Sequence, residues 1–260
     1  MKWDFKTTGP IEADVSLGSG LLEVRAAAGD ELTVSLEAFG RESRRAQEVI
    51  EASEVTFGDG RLRVHVPTRP FKAVEVHCEL CVPGGSSLGL RSASADLRCG
   101  VRLGALSAKT ASGDVEIDRA DKVSFSSASG DLDCKQVDRA LLVKAASSDV
   151  SVQSLDGEAD LSLASGDIEL GAVTGSLRVN TASGDVSVGR AGKGRLVVNT
   201  ASGDVSVGVA AGIGAYLDAT SLSGEMTCEL PMQERSVDEA ALEIVCRTMS
   251  GDIRIGAARP

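Results

Sequence analysis

Aromatic side chains are nearly missing from this chain, with one Trp, one Tyr and five Phe in 260 residues. Exposed stacking platforms for sugars or single-stranded nucleic acid are therefore not provided for, the repeats holding only Phe125, on an inward column, and Tyr216. Histidine is as scarce: His65 and His77 are the only two. No Gly-x-Ser-x-Gly and no phosphate loop occurs, so no catalytic constellation can be named and the chain reads as a non-enzyme that takes no cofactor. Basic residues fall short of acidic ones, 27 against 38, and the net charge of −11 argues against nucleic acid and anionic membrane as partners. No 18-residue apolar run exists to span a bilayer. The start, Met1-Lys-Trp-Asp-Phe-Lys6, carries charges where a signal peptide needs its apolar stretch, which leads to an expectation of a cytoplasmic protein.

What the chain has in abundance is one triplet. Ser-Gly-Asp begins at Ser112, Ser129, Ser165, Ser183, Ser202 and Ser250, and close variants begin at Ser94, Ser147 and Ser223. Successive serines are 18, 17, 18, 18, 18, 19, 21 and 27 residues apart. A fixed period of this size is the mark of stacked structural repeats. Aligned on the serine, positions −6, −4, +3 and +5 are apolar in all nine repeats; in the repeat of Ser183 they are Leu177, Val179, Val186 and Val188. The residues between them are mostly polar, such as Asn180 and Ser187. That alternation is the period of a strand with one buried face.

The fold expected is all-β: a parallel two-sheet β-solenoid of about nine 18-residue rungs, with a β-rich N-terminal cap carrying one short helix. Each repeat should hold two short strands, joined at Ser-Gly-Asp and at a Gly-rich return such as Arg190-Ala-Gly-Lys-Gly194. Successive repeats should pair in parallel, about 4.8 Å apart, giving a rod of roughly 40 Å. The residue before the serine is Ala in seven repeats, then Leu222 and Met249, which suggests a backbone bending inward at a tight corner. Glycine after the serine suggests a positive φ there.

Residues 1–87 form the expected cap and 88–260 the repeats, as one continuous structural unit. The cap alternates well in several segments, and Gly58-Asp-Gly60 is a hairpin signal. Glu42 to Glu51 is the one credible helix, and Ser19-Gly-Leu-Leu-Glu-Val24 echoes the repeat. The long gap before Ser250 places an insertion around Pro231 to Ala240. Cys99, Cys134, Cys228 and Cys246 fall on inward columns and read as small buried hydrophobes. Cys78 and Cys81 form a Cys-x-x-Cys on a predicted strand, where residues three apart face opposite ways and no second pair completes a zinc site.

A strand ending in Cys81-Val-Pro-Gly-Gly85, followed by Leu88-Gly-Leu-Arg-Ser-Ala-Ser-Ala-Asp96 and the Ser-Gly-Asp repeats, resembles the bacterial "putative adhesin" domain family of unknown function. The resemblance runs from about Glu12 to Ile255. It implies a parallel β-solenoid and no catalytic residues.

One feature goes beyond core packing. Asp96, Asp114, Asp131, Asp149, Asp167, Asp185, Asp204, Glu225 and Asp252 should stack along one edge. Carboxylates about 4.8 Å apart repel by roughly 0.9 kcal/mol even in bulk water. Turn-capping, with each carboxylate accepting backbone N–H bonds of its own turn or the next, is the first reading of what offsets this. A row of cations such as Ca²⁺ held by Asp114, Asp131, Asp149, Asp167, Asp185 and Asp204 is the second, although one Asp per rung is sparse for an ion that wants six to eight oxygens. The function expected is a non-catalytic scaffold or protein-binding module, with a protein partner or a second copy of itself and no small-molecule ligand. The alternative is a cation-binding or surface-adhesion module that uses the Asp column.

Overall fold

Apolar residues two apart leave the backbone little choice but to extend and pair. The computed structural model describes residues 1–38, 44–68, 74–230 and 241–258, and it is all-β, with one short helix among those residues. The residues gather into two compact units, Met1–Cys134 and Lys135–Pro260. The expected join at 87/88 lies within the first.

The first unit contains β1 (Lys2–Lys6), β2 (Glu12–Ala26), β3 (Glu31–Ala38), α1 (Arg44–Glu51), β4 (Glu54–Gly58), β5 (Arg61–His65), β6 (Glu75–Val82), β7 (Ser87–Cys99), β8 (Leu103–Lys109) and β9 (Val115–Ser127). The echo at Ser19 is a true repeat: β2 runs parallel to β7 with Ser19 opposite Ser94 and Leu22 opposite Leu97. On its other edge β2 pairs in parallel with β5 and β6, with Val15 opposite Val64 and Leu22 opposite Cys78. The second strand of the chain therefore lies inside, between later ones. Antiparallel β3 adds to β6, and β1 to β3. Hairpin β4–β5 turns at Asp59 and Gly60, both at positive φ (50° and 72°), as a two-residue turn matching strand twist requires. Helix α1 packs on β3 and β6 with Val49 and Ile50 buried.

The second unit starts within β10 (Leu132–Ser147) and continues through β11 (Val150–Ser165), β12 (Ile168–Ser183), β13 (Val186–Ser202), β14 (Val205–Val209), β15 (Ala215–Ser223), β16 (Met226–Cys228), β17 (Leu242–Ser250) and β18 (Ile253–Ala257). Parallel ladders at an offset of 18 join β11 to β12, from Val150 opposite Ile168 to Ser165 opposite Ser183. The expected two short strands per repeat are one long strand here. Pairing continues through the Gly-rich return, where Gly157, Gly175 and Gly194 sit at φ 121°, 121° and 125°. A Cβ on Gly175 would meet the carbonyl oxygen of Gly157, so glycine lets the strand bend without leaving the ladder. The extra residue in Arg190 to Gly194 is absorbed as a register shift between Val173 and Gly175.

Chain order and spatial order part company at the last repeats. β13 pairs with β17, and β17 in turn with β15; likewise β14 pairs with β18, and β18 with β16. The Ser250 repeat therefore sits between those of Ser202 and Ser223, which corrects the expectation that successive repeats are neighbours throughout. The inner repeat is also the more apolar one. Its Leu242, Ile244, Val245, Cys246, Ile253 and Ile255 are buried, whereas Leu217 and Ala219 of the outer repeat are half-buried and Met226 and Cys228 are exposed. Burial of β-branched Ile gains more than burial of Ala or Cys, so the better core-former takes the inside place. Within this unit the inward columns are sealed elsewhere, as at Leu161, Val179, Val198 and Cys246, all 0% exposed. Among the described residues no helix is long and apolar enough to cross a membrane. The expected insertion at 231–240 lies outside the described residues.

Candidate functional site

In the second unit β10, β11, β12, β13, β15 and β17 end at the serine and the next strand resumes just past the acidic residue, so each corner there is a short break in the ladder; in the first unit β8 stops at Lys109 and β9 at Ser127, while β7 runs on through Ser94 to Asp96. The aspartates close that break. In the first unit, the N–H of Asp114 donates to Asp96 Oδ1 (3.0 Å) and that of Asp131 to Asp114 Oδ1 (3.0 Å). In the second, the N–H of Asp167 donates to Asp149 Oδ1, that of Asp185 to Asp167 Oδ1, and that of Asp204 to Asp185 Oδ1, each at 2.8 Å. The row then follows space rather than sequence: Asp252 N–H to Asp204 Oδ1 (2.8 Å), and Glu225 N–H to Asp252 Oδ1 (2.9 Å). One oxygen of each accepting carboxylate thus receives the amide of the neighbouring repeat. Bonds from N–H groups to an ionised acceptor are stronger than neutral ones and place positive dipole ends between like charges. At the outer end Arg254 adds to this, donating to Asp252 Oδ2 (2.6 Å) and Asp204 Oδ2 (3.3 Å).

Glycine supplies the close approach. Gly166, Gly184, Gly203 and Gly251 lie at φ 114° to 150°, and a Cβ on Gly184 would collide with the carbonyl oxygen of Gly166. Gly113 and Gly130 manage the corner without a positive φ, their N–H groups donating to Thr110 Oγ1 and Ser127 Oγ, each at 2.7 Å. The alanines before the serines face solvent, Ala182 and Ala201 among them, which corrects the inward bend expected from their size. The tight contact is made by glycine against backbone, one position after the serine.

The other candidates do not converge. His65 is exposed on β5 and His77 half-buried on β6, strands that pair with different halves of β2. His77 Nε2 lies 3.3 Å from Glu23 Oε2. The Arg25 guanidinium hydrogen-bonded to Glu23 holds that carboxyl below its ordinary value, against the opposing effect of burial. Cys78 is buried and Cys81 half-buried, on opposite faces of β6 as the strand reading requires. Burial pushes the Cys78 thiol up to about 12, Cys246 to about 12 and Cys99 to about 11. Cys228, expected on an inward column, is exposed, because its repeat is the outermost one and nothing described lies over it. Among the described residues no cluster of three or more His, Cys, Asp or Glu is arranged to hold a metal ion. A shallow depression of about 370 Å³ is lined by Ser187, Ser206, Gly208, Thr227, Glu229 and Arg254, the last already engaged by Asp204 and Asp252.

The sequence reading missed an apolar surface on the two outer repeats, those of Ser223 and Ser250. Leu222 is 77% exposed, Met249 60%, Met226 54% and Tyr216 38%. The signal was present: Leu222 and Met249 are the two places where the alanine before the serine is replaced.

The Toastrack DUF4097 family model matches residues 22–257, which covers the repeats and most of the preceding strands. The chain belongs to the Toastrack DUF4097 family. Several solved structures are similar to this Toastrack chain over nearly its full length at low identity. A "putative adhesin" from Bacteroides fragilis is 14% identical with a TM-score of 0.48, covering 98% of this chain and 96% of that one. A "putative lipid binding protein" from Parabacteroides distasonis is 17% identical with a TM-score of 0.46, again covering 98% and 96%. A "putative cell adhesion protein" from Clostridium sporogenes is 11% identical with a TM-score of 0.27, covering 99% of each. No curated protein matches the chain.

Proposed function

We propose that this Toastrack chain is a non-catalytic binding module, a scaffold that presents polar strand faces and corners to a protein partner in the cytoplasm. Within each unit, parallel ladders at offsets of 17 to 19 residues support the finer reading of a two-sheet β-solenoid. The observation that carries the proposal is the carboxylate row. One oxygen of each accepting carboxylate is spent on the amide of a neighbouring repeat, so the most regular chemistry in the chain serves the fold, and the variable outward residues are left to carry recognition. The buried thiols of Cys78, Cys99 and Cys246 fit a reducing compartment.

The test is a pull-down with the tagged full chain from lysate of its native cells. A discrete protein retained above a control bait supports the reading. The cation-binding or adhesion module is tested by melting the protein in millimolar Ca²⁺ against a matched monovalent-salt control. A saturable calcium-specific rise in Tm would replace the scaffold reading, since a ligand that binds only the folded state stabilises it by mass action.

A further inference from the structure

The outermost repeat of the second unit is unfinished. β15 pairs with β17 along Ala215–Ser223, and among the described residues no strand lies along its other edge. Its inward Leu217 and Ala219 are half-buried, where the corresponding Leu196 and Val198 are 0% exposed. Natural edge strands are guarded by short length, lysine, proline or bulges. β15 is nine residues long and has no Lys, Arg or Pro; its one charged side chain, Asp218, faces Arg247 at 3.7 Å. Ser221 and Ser223 are in register with Thr248 and Ser250, so exposed Leu222 and Met249 lie side by side on the outward face.

We infer that this edge pairs with the same edge of a second copy of the chain, antiparallel and centred on Ala219, so that β15 continues into β15 of the partner. An isologous contact of this kind needs a self-complementary strand, and β15 is one. Centring on Ala219 sets Tyr216 against Leu222 of the other copy and Asp218 against Thr220, each pair occurring twice by symmetry. The two exposed apolar side chains of the strand meet, and no carboxylate faces a carboxylate. Leu217 meets Ser221 on the inward side, where the missing cover is needed. Cross-strand pairs of this kind are the unit of sheet stabilisation, and strand addition to an open edge is a common mode of recognition.

The proposal rests on the binding-module reading and specifies one of its partners. Sedimentation equilibrium on the full chain should find a dimer at about 100 µM, a range in which weak edge pairing is populated. Hydrogen exchange should slow over residues 215–223 as protein concentration rises. L222D, at an exposed position where folding should survive, should weaken the dimer by roughly tenfold or more, the measure of a lost apolar pair facing a new charge. Far-UV circular dichroism checks the fold, and Y216K serves if L222D does not fold. The double variant Y216K/L222D restores an opposite-charge pair across the two-fold axis and should recover part of the dimer. A monomeric wild type, a dimer insensitive to L222D, or no recovery in the double variant would overturn the pairing. Repeating the pull-down separates the two readings: a monomeric wild type that still retains a protein loses the edge pairing alone, and a dimer that retains no other protein keeps it.

Discussion

Val186 and Ser187 are neighbours in sequence and opposites in environment: the first is 1% exposed and the second faces solvent. Val186→Asp should cost about 3–5 kcal/mol, since it buries a charge without a partner. Ser187→Asp should stay within about 0.5 kcal/mol. Thermal melts of both variants compare the two directly, and equal losses would contradict the inward–outward assignment. Asp185 both donates its amide to Asp167 and accepts that of Asp204. Asp185→Asn keeps an acceptor and should cost under about 1 kcal/mol, while Asp185→Ala leaves the Asp204 amide to water and should cost more. The thiols divide in the same way. Cys228 should react first with a thiol reagent, and Cys78, Cys99 and Cys246 only on denaturation, which timed alkylation and mass spectrometry can follow. Their raised values also set a pH dependence. The unfolded thiol ionises near its ordinary value of 9.0, while folded Cys78 and Cys246 hold their protons to about 12. Above pH 9 the unfolded chain therefore binds fewer protons, and stability, intact below that point, should fall as pH climbs toward 12. The decline should be shallower in Cys78→Ala, as read from denaturation midpoints between pH 8.5 and about 11.

Strands this long hold register because identical residue types recur at the same ladder position, Gly on Gly and Ser on Ser. A one-residue slip would expose every inward side chain of the strand. The glycines that allow the bends are correspondingly intolerant. Gly184→Ala combines a φ of 126° with a Cβ against the Gly166 carbonyl, and should cost about 3 kcal/mol or more. Gly29→Ala, at φ 70° with open space around it, should cost only about 1 kcal/mol. Urea unfolding of the two variants would decide whether close backbone approach, rather than backbone angle alone, selects glycine at the corner. The interposed position of β17 belongs to this scale too. The 27-residue spacing from Ser223 to Ser250 leaves enough chain after β15 for β17 to lie between β13 and β15.

At the scale of the whole molecule the dominant quantities are a net charge of −11 and an aligned row of carboxylates in each unit. Monovalent salt should raise Tm modestly by screening self-repulsion. If the row serves only as interstrand caps, Ca²⁺ at equal ionic strength should add almost nothing, and Asp185→Asn should leave the salt response unchanged. A concentration-dependent calcium increment, blunted by Asp185→Asn, would instead mark the row as a ligand site. Differential scanning calorimetry with both salts reads the outcome.

The sequence alone was sufficient for the strand period, the inward columns such as Val179 and Val198, the alignment of Asp167 with Asp185, the hairpin at Asp59-Gly60 and the family resemblance. These follow from local alternation and from a constant repeat length, both of which are one-dimensional quantities. Only the tertiary structure decided which amide each carboxylate accepts, because that bond joins residues 17 to 48 positions apart and depends on register. It also decided that β2 and β17 lie between other strands. Both placements depend on competition between whole repeats for burial, and a spacing of 27 residues permits either order. The exposure of Cys228 follows from that competition: a column position predicts a buried side chain only when another repeat covers it.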